Sequence, residues 1–172
     1  MKQATEIYLS LGSNLGNREE LLAKAINLIN EAGISTPAVS SLFESEPWGY
    51  QSQHPFLNQV LRCITQLTPE DLMGLCHAIE DQLGRTRGSS AGYEDRTIDI
   101  DLLLYGKLIL NTPSLQVPHP GIPARRFILE PMAEIAPLFV HPVIGKNILT
   151  LLEECGDKNP VSVYNPVSFR NI

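Results

Sequence analysis

Two aspartates set one residue apart, Asp99 and Asp101, begin the otherwise apolar run "RTIDIDLLLYG" (96–106). Residues two apart on a strand project to one face, about 6–7 Å from each other. Both carboxylates therefore face one side, and Ile98, Ile100, Leu102 and Leu104 are expected on the other, toward a core. Like charges that close repel, and partial burial sharpens the conflict. A divalent cation removes it. Magnesium takes one or two carboxylates and completes its shell with water and phosphate oxygens, and such a pair can hold one ion or bridge two about 3.5–4 Å apart. Taken alone, Asp-x-Asp is more often a solvated strand face, here with Arg96 neutralising one carboxylate.

The surroundings change that weighing. Arg85, Arg87 and Arg96 bracket the polar stretch "RTRGSSAGYEDR" (85–96), whose far end runs into the aspartates. Arginine meets phosphate oxygens in a planar fork, and a loop carrying such groups can close over a nucleotide. "VPHPGIPARRF" adds His119, Arg125 and Arg126 in a proline-rich turn before a helix. Each cluster by itself reads as a solubilising loop or a rigid turn. Neither a Walker A pattern nor G-x-G-x-x-G is present, and "LGSNLGNRE" has no lysine where a phosphate loop needs one.

Phe56, Asn58 and Phe127 form the third set. Two aromatic faces can sandwich a flat heterocycle, and an inward amide offers donors and an acceptor to a pyrimidine-like edge. Taken singly, the rings are core residues and the amide a satisfied buried group. Trp48, in "PWGY", is a loop anchor or part of a lid.

The elements that must hold these groups follow from periodicity. "EIYLSLG" alternates as a half-buried strand and ends in a turn at Gly12. Asn17 caps a helix, with Glu20 completing a capping box and Leu22, Ala25, Ile26 and Ile29 on its core face. "AVSSLFESEP" and "FLNQVLRCITQL" read as strands separated by a proline- and glycine-containing loop. A second helix runs from Thr68 and Pro69 to Gly84, with Leu72, Leu75, Cys76, Ile79 and Leu83 inward. After the aspartate strand, "KLILNT" is expected to pair behind it. "PARRFILEPMAEIAP" and "NILTLLEEC" are expected as short helices, and "VSVY" as a short strand. Strand, helix, strand, strand, helix, strand suggests an α+β sandwich of ferredoxin-like type with enlarged middle loops.

Composition bounds the alternatives. The 172 residues fit one domain (1–172), with a weakly patterned tail at 156–172. The net charge of −6 argues against broad nucleic-acid or anionic-membrane binding. Cys63, Cys76 and Cys155 show no metal spacing and read as reduced, partly buried thiols of a cytoplasmic protein. Neither a secretory leader nor a membrane-length apolar run is expected.

Together these stretches resemble the 6-hydroxymethyl-7,8-dihydropterin pyrophosphokinase family of folate synthesis. The likeness is carried by "YLSLGSNLGNRE", "ESEPWG…FLN", "IEDQLGRTR", "DRTIDIDLLLYG" and "VPHPGIPARRFILEPMAEIAP", in the family's order, from about residue 7 to residue 140. The resemblance implies attack of the pterin hydroxymethyl oxygen on the β-phosphorus of ATP, with AMP leaving and two magnesium ions as template. It implies Asp99 and Asp101 as metal ligands. Arg85 and Arg96 would contact the phosphates, Arg96 being the residue most tied to the chemical step. Arg87, His119 and Arg125 would hold the triphosphate, with Glu80 and Leu102 on the ATP side. Phe56 and Phe127 would sandwich the pterin, Asn58 would read its edge, and backbone near Ser45 and Trp48 would complete that edge. A monomer acting on ATP and the pterin, without nucleic acid or membrane, is the family expectation. Phe56 stands where many relatives have tyrosine, and Pro120 where some have a bulkier residue.

Two other classes fit the aspartate pair: a two-metal nucleotidyltransferase or nuclease, and a non-catalytic ferredoxin-like binding module. The first needs a basic track that an acidic chain does not advertise. The second predicts no magnesium dependence of ligand binding.

Overall fold

The structure is a computed structural model that describes residues 2–88 and 93–166. Strand β1 (Thr5–Ser13) leads to helix α1 (Arg18–Glu31), then β2 (Ser35–Val39), β3 (Phe43–Ser45) and β4 (Phe56–Thr65). Helix α2 (Pro69–Gln82) and strand β5 (Asp99–Tyr105) complete the ferredoxin-like order. A small hairpin, β6 (Leu110–Asn111) and β7 (Gln116–Val117), precedes α3 (Arg126–Ile135), α4 (Ile148–Glu154) and a last strand, β8 (Val161–Val163).

The main sheet is antiparallel, in the order β5-β1-β4-β3-β8, with β2 also on β4. β2 and β3 lie along the same edge of β4. The break between them is closed by Ser40, whose N–H donates to Val60 O at 2.9 Å and whose Oγ accepts from Val60 N at 3.0 Å. β8 shows that part of the tail belongs to the sheet: Val161 pairs with Ser45 and Val163 with Phe43.

Both faces of the sheet are covered. On one, Leu22, Ala25 and Ile29 of α1 and Leu72, Cys76 and Ile79 of α2 pack on Ile7, Leu9, Leu11, Leu57, Leu61, Ile98, Ile100 and Leu102. On the other, α3 and α4 bring Ile128, Leu129, Met132, Ile148 and Leu151 onto Tyr8, Val60, Leu103 and Leu104. This second layer corrects the half-buried reading of β1: Tyr8 and Ser10, on its polar side, are buried too. All three cysteines are free and fully buried rather than partly so.

Further corrections are local. Leu104 does not share a face with Ile100 and Leu102. A β-bulge sets Leu9 opposite Leu102 but Tyr8 opposite Leu104, and the extra residue turns Leu104 to the second core. The "KLILNT" segment pairs with β7 and not with β5. Asn17 does cap α1 by accepting from Glu20 N at 3.2 Å, but the Glu20 side chain goes to Lys24 at 2.6 Å, so only half of the capping box forms. On the core faces, Ile26, Leu75 and Leu83 are only partly buried, while Glu80 is buried on α2.

Candidate active site

Register builds the floor of the site. Gly12 of β1 pairs with Asp99 of β5 on one side and with Asn58 of β4 on the other, and Asn58 pairs with Phe43 of β3. The next row of that face sets Ser10 opposite Asp101. One row thus carries a carboxylate, a glycine and an amide on adjacent strands about 4.8 Å apart, and the glycine leaves the floor between them open. α3 and α4 cover the other end of this face, and α3 reaches the cavity wall with Phe127. What remains is a cavity of about 290 Å³.

That cavity joins the three sets of residues. Ser45, Trp48, Phe56, Asn58 and Phe127 line it together with Arg85, Arg96, Asp99, Asp101, His119 and Arg125. Glu80, Arg87 and Leu102 stand outside the lining. Leu102 is in the α1–α2 core. Arg87 turns back to Glu80 at 2.8 Å and to Asp81. Glu80 is 1% exposed. Its Oε1 accepts from Ile100 N at 2.9 Å, and its Oε2 accepts from Arg85 Nη1 at 2.6 Å. It therefore fixes Arg85 and the start of β5 from behind. Burial raises its pKa, against the pull of the Ile100 N–H and the arginines.

At the charged end, Arg85 donates to Asp99 Oδ1 at 2.9 Å and Arg96 to Asp99 Oδ2 at 3.2 Å. Burial works against the charge on Arg85, but Asp99 and Glu80 outweigh it and raise its pKa. Asp101 makes no ion pair among the described residues. Its recessed position, with Asp99 and Glu80 nearby, pushes its pKa well above the usual carboxylate range. No set of three or more His, Cys, Asp or Glu groups there could hold a metal, among the described residues. Two carboxylates without a third protein ligand match what magnesium takes when phosphate oxygens and water fill the other positions. The residues present fit that ion.

His119 is held on the cavity wall by its backbone, whose N–H donates to Leu103 O at 2.9 Å. Its Nδ1 accepts from Gly121 N at 2.9 Å. Burial, and then Arg125, push its pKa down to about 4. The ring is neutral near pH 7, and with Nδ1 occupied as acceptor the proton sits on Nε2, a donor.

At the aromatic end, Asn58 Nδ2 already donates to Ser45 Oγ at 2.8 Å and to Phe43 O at 3.2 Å. Its donors are spent, and Oδ1 is what it offers a ligand. The amide can therefore accept from a ligand's N–H groups but has no donor left for an acceptor edge. Phe56 carries the Arg96 guanidinium over its ring at 5.5 Å, so the two ends touch. Trp48 is neither free nor core. It meets Tyr93 edge-on at 5.9 Å and lies 4.5 Å from the Arg125 guanidinium, which itself donates to Tyr93 Oη at 2.8 Å.

Sequence reasoning missed Asn14, Tyr50 and Asp95, which meet through hydrogen bonds spanning 36 to 81 positions. No local spacing signals such a meeting.

A ferredoxin-like sandwich with a slot for a flat heterocycle beside a carboxylate–arginine cluster defines a small-molecule site that also suits a polyanion. Residues 8–137 match the 7,8-dihydro-6-hydroxymethylpterin-pyrophosphokinase (HPPK) family. The 2-amino-4-hydroxy-6-hydroxymethyldihydropteridine pyrophosphokinase of Porphyromonas gingivalis is 43% identical over 138 residues, 79% of this chain and 93% of that protein. The Bacillus subtilis protein of the same name is 43% identical over 129 residues, 74% and 76% of the two chains. The Plasmodium falciparum HPPK-DHPS, in a crystal structure with pteroate, superposes with a TM-score of 0.72 at 14% identity, which speaks for the fold. This chain covers 43% of that longer chain. The chain belongs to the HPPK family. No helix among the described residues is long and apolar enough to cross a membrane.

Proposed function

We propose that residues 1–172 act as one pyrophosphokinase domain and that this cavity is its active site. The protein transfers pyrophosphate from ATP to the hydroxymethyl group of 6-hydroxymethyl-7,8-dihydropterin, in folate synthesis, and AMP leaves. The observation that carries the site assignment is the single cavity in which Phe56, Phe127 and Asn58 meet Asp99, Asp101, Arg85 and Arg96.

The pterin lies between Phe56 and Phe127. Asn58 Oδ1 accepts from its ring N–H groups, and the neighbouring Ser45 holds that amide in the right rotation. This points the hydroxymethyl arm toward Asp99 and Asp101. Bound magnesium, held by these two carboxylates, would neutralise phosphate charge. Arg96 and Arg85 exchange carboxylate partners for phosphate oxygens, an exchange of one anion for another that leaves no buried guanidinium unpaired. His119 Nε2–H and Arg125 donate to the triphosphate. Arg87, now tied to Glu80 and Asp81, reaches it by swinging away from them. No side chain is set as a nucleophile. The work is alignment and charge balance, as phosphoryl-type transfers require, and the hydroxyl proton goes to phosphate or solvent.

Substituting Asn58 with Leu tests the pterin end. The KM for the pterin is expected to rise at least about tenfold, since buried ligand N–H groups lose their acceptor, while the KM for ATP stays. Equal rises in both would contradict the assignment.

A further inference from the structure

A carboxylate that does not line the cavity joins its two ends. Asp95 Oδ1 accepts from Asn14 Nδ2 at 2.8 Å and from Tyr50 Oη at 3.0 Å, and Oδ2 accepts from Ser52 Oγ at 2.8 Å. Asn14 is 3% exposed and completes the knot. Its Nδ2 also donates to His54 O at 3.0 Å, its Oδ1 accepts from Arg96 N at 2.7 Å, and its backbone N–H donates to Arg96 O at 3.1 Å. The 50–54 segment leads into Phe56, and Tyr50 lines the cavity with Phe56. Arg96 follows Asp95 directly and lines the other end. Hydrogen bonds to a carboxylate are about twice as strong as neutral ones. Tyr50 and Ser52 have one hydroxyl proton each, and both are spent on Asp95. A shift of the 95–96 backbone therefore breaks the bonds that hold the pterin-side loop, and a shift of that loop frees Arg96.

We infer that Asp95 is a positioning residue that couples pterin binding to nucleotide binding, so that each ligand tightens the other. The inference rests on the pyrophosphokinase reading of the cavity. Such coupling is reciprocal by linkage.

The test is calorimetric titration of the full chain with 6-hydroxymethyl-7,8-dihydropterin, with and without magnesium and α,β-methylene-ATP, whose α–β linkage resists cleavage. For the unsubstituted protein the nucleotide is expected to lower the pterin Kd by a factor of about 5–150. For Asp95→Ala that factor is expected to fall to within about twofold of unity, with the Kd for nucleotide alone unchanged. Asp95→Asn keeps an acceptor oxygen for Asn14 and Tyr50 and offers an N–H to Ser52 Oγ, so it is expected to retain most of the coupling. Ser52→Ala removes a single bond and is expected to lower the factor partway. It serves as the decisive variant where Asp95→Ala does not fold. An unchanged factor in the folded variants overturns the inference and leaves the cavity assignment standing. Equal loss of both affinities in Asp95→Ala and Asp95→Asn makes the residue merely structural and also overturns it. An unsubstituted protein that binds both ligands without coupling overturns it as well, and one that binds neither overturns the cavity assignment with it.

Discussion

Arg85 and Asp99 form a 2.9 Å ion pair whose arginine is shared, through the same nitrogen, with buried Glu80 at 2.6 Å. Asp99 is also met by Arg96, so its charge is balanced before any ligand arrives. Asp101 has no such ion pair among the described residues, and burial, with the nearby charges of Asp99 and Glu80, raises its pKa.

Asp101→Ala should therefore cost kcat far more than pterin affinity. A loss of about 10²–10³-fold in kcat is expected, in line with removing a group that organises transition-state charge. The Kd for the pterin should stay within about threefold. Steady-state kinetics with pterin titration checks both, and near-normal turnover would contradict the role.

Phe56→Ala should act on the other substrate end. Aromatic contacts contribute about 0.5–1.5 kcal/mol beyond their buried area, so the pterin KM should rise about tenfold or more. The ATP KM should move less. The relevant measurement is KM for each substrate at saturating levels of the other.

Leu61 is 0% exposed, in the middle of β4. Leu61→Ala should destabilise the fold by about 2–5 kcal/mol through lost burial and a cavity. Urea unfolding measures it, and a cost below about 1 kcal/mol would mean the sheet core is looser than described.

His141 is buried, and its Nδ1 accepts from the N–H groups of Val143 and Ile144, both at 3.2 Å. Burial lowers its pKa below the ordinary value of 6.5. At a pH between the two values the unfolded chain binds the proton and the folded chain does not, so protonation favours unfolding. Its contribution to stability is present above pH about 6.5, falls as the pH drops toward the folded pKa, and levels off below that. Urea midpoints at several pH values should show this slope. His141→Asn, whose oxygen can accept the same N–H groups, should flatten it.

Much of the fold was legible because it rests on local patterns. The capped helices, the strand carrying the aspartates and the short C-terminal elements all follow from spacing and punctuation. The failures share a cause in tertiary packing. β1 looked half-buried because nothing in its own alternation announces that α3 and α4 cover its second face. Leu104 was misplaced because a bulge is a property of two strands together. In the site, the carboxylate pair and the aromatic residues stood out by type. That Asn58 spends its donors on Ser45 and Phe43, and that Asp95 ties Tyr50 and Ser52 to the Arg96 segment, depends on partners far away in the chain.

The most direct measurement is AMP release from ATP by the purified chain, with and without 6-hydroxymethyl-7,8-dihydropterin, in magnesium or in EDTA. AMP formed in equal amount with the pyrophosphorylated pterin, and only when pterin and magnesium are both present, is the expected result. AMP formed without pterin, or none from folded protein that binds both substrates, would contradict the account.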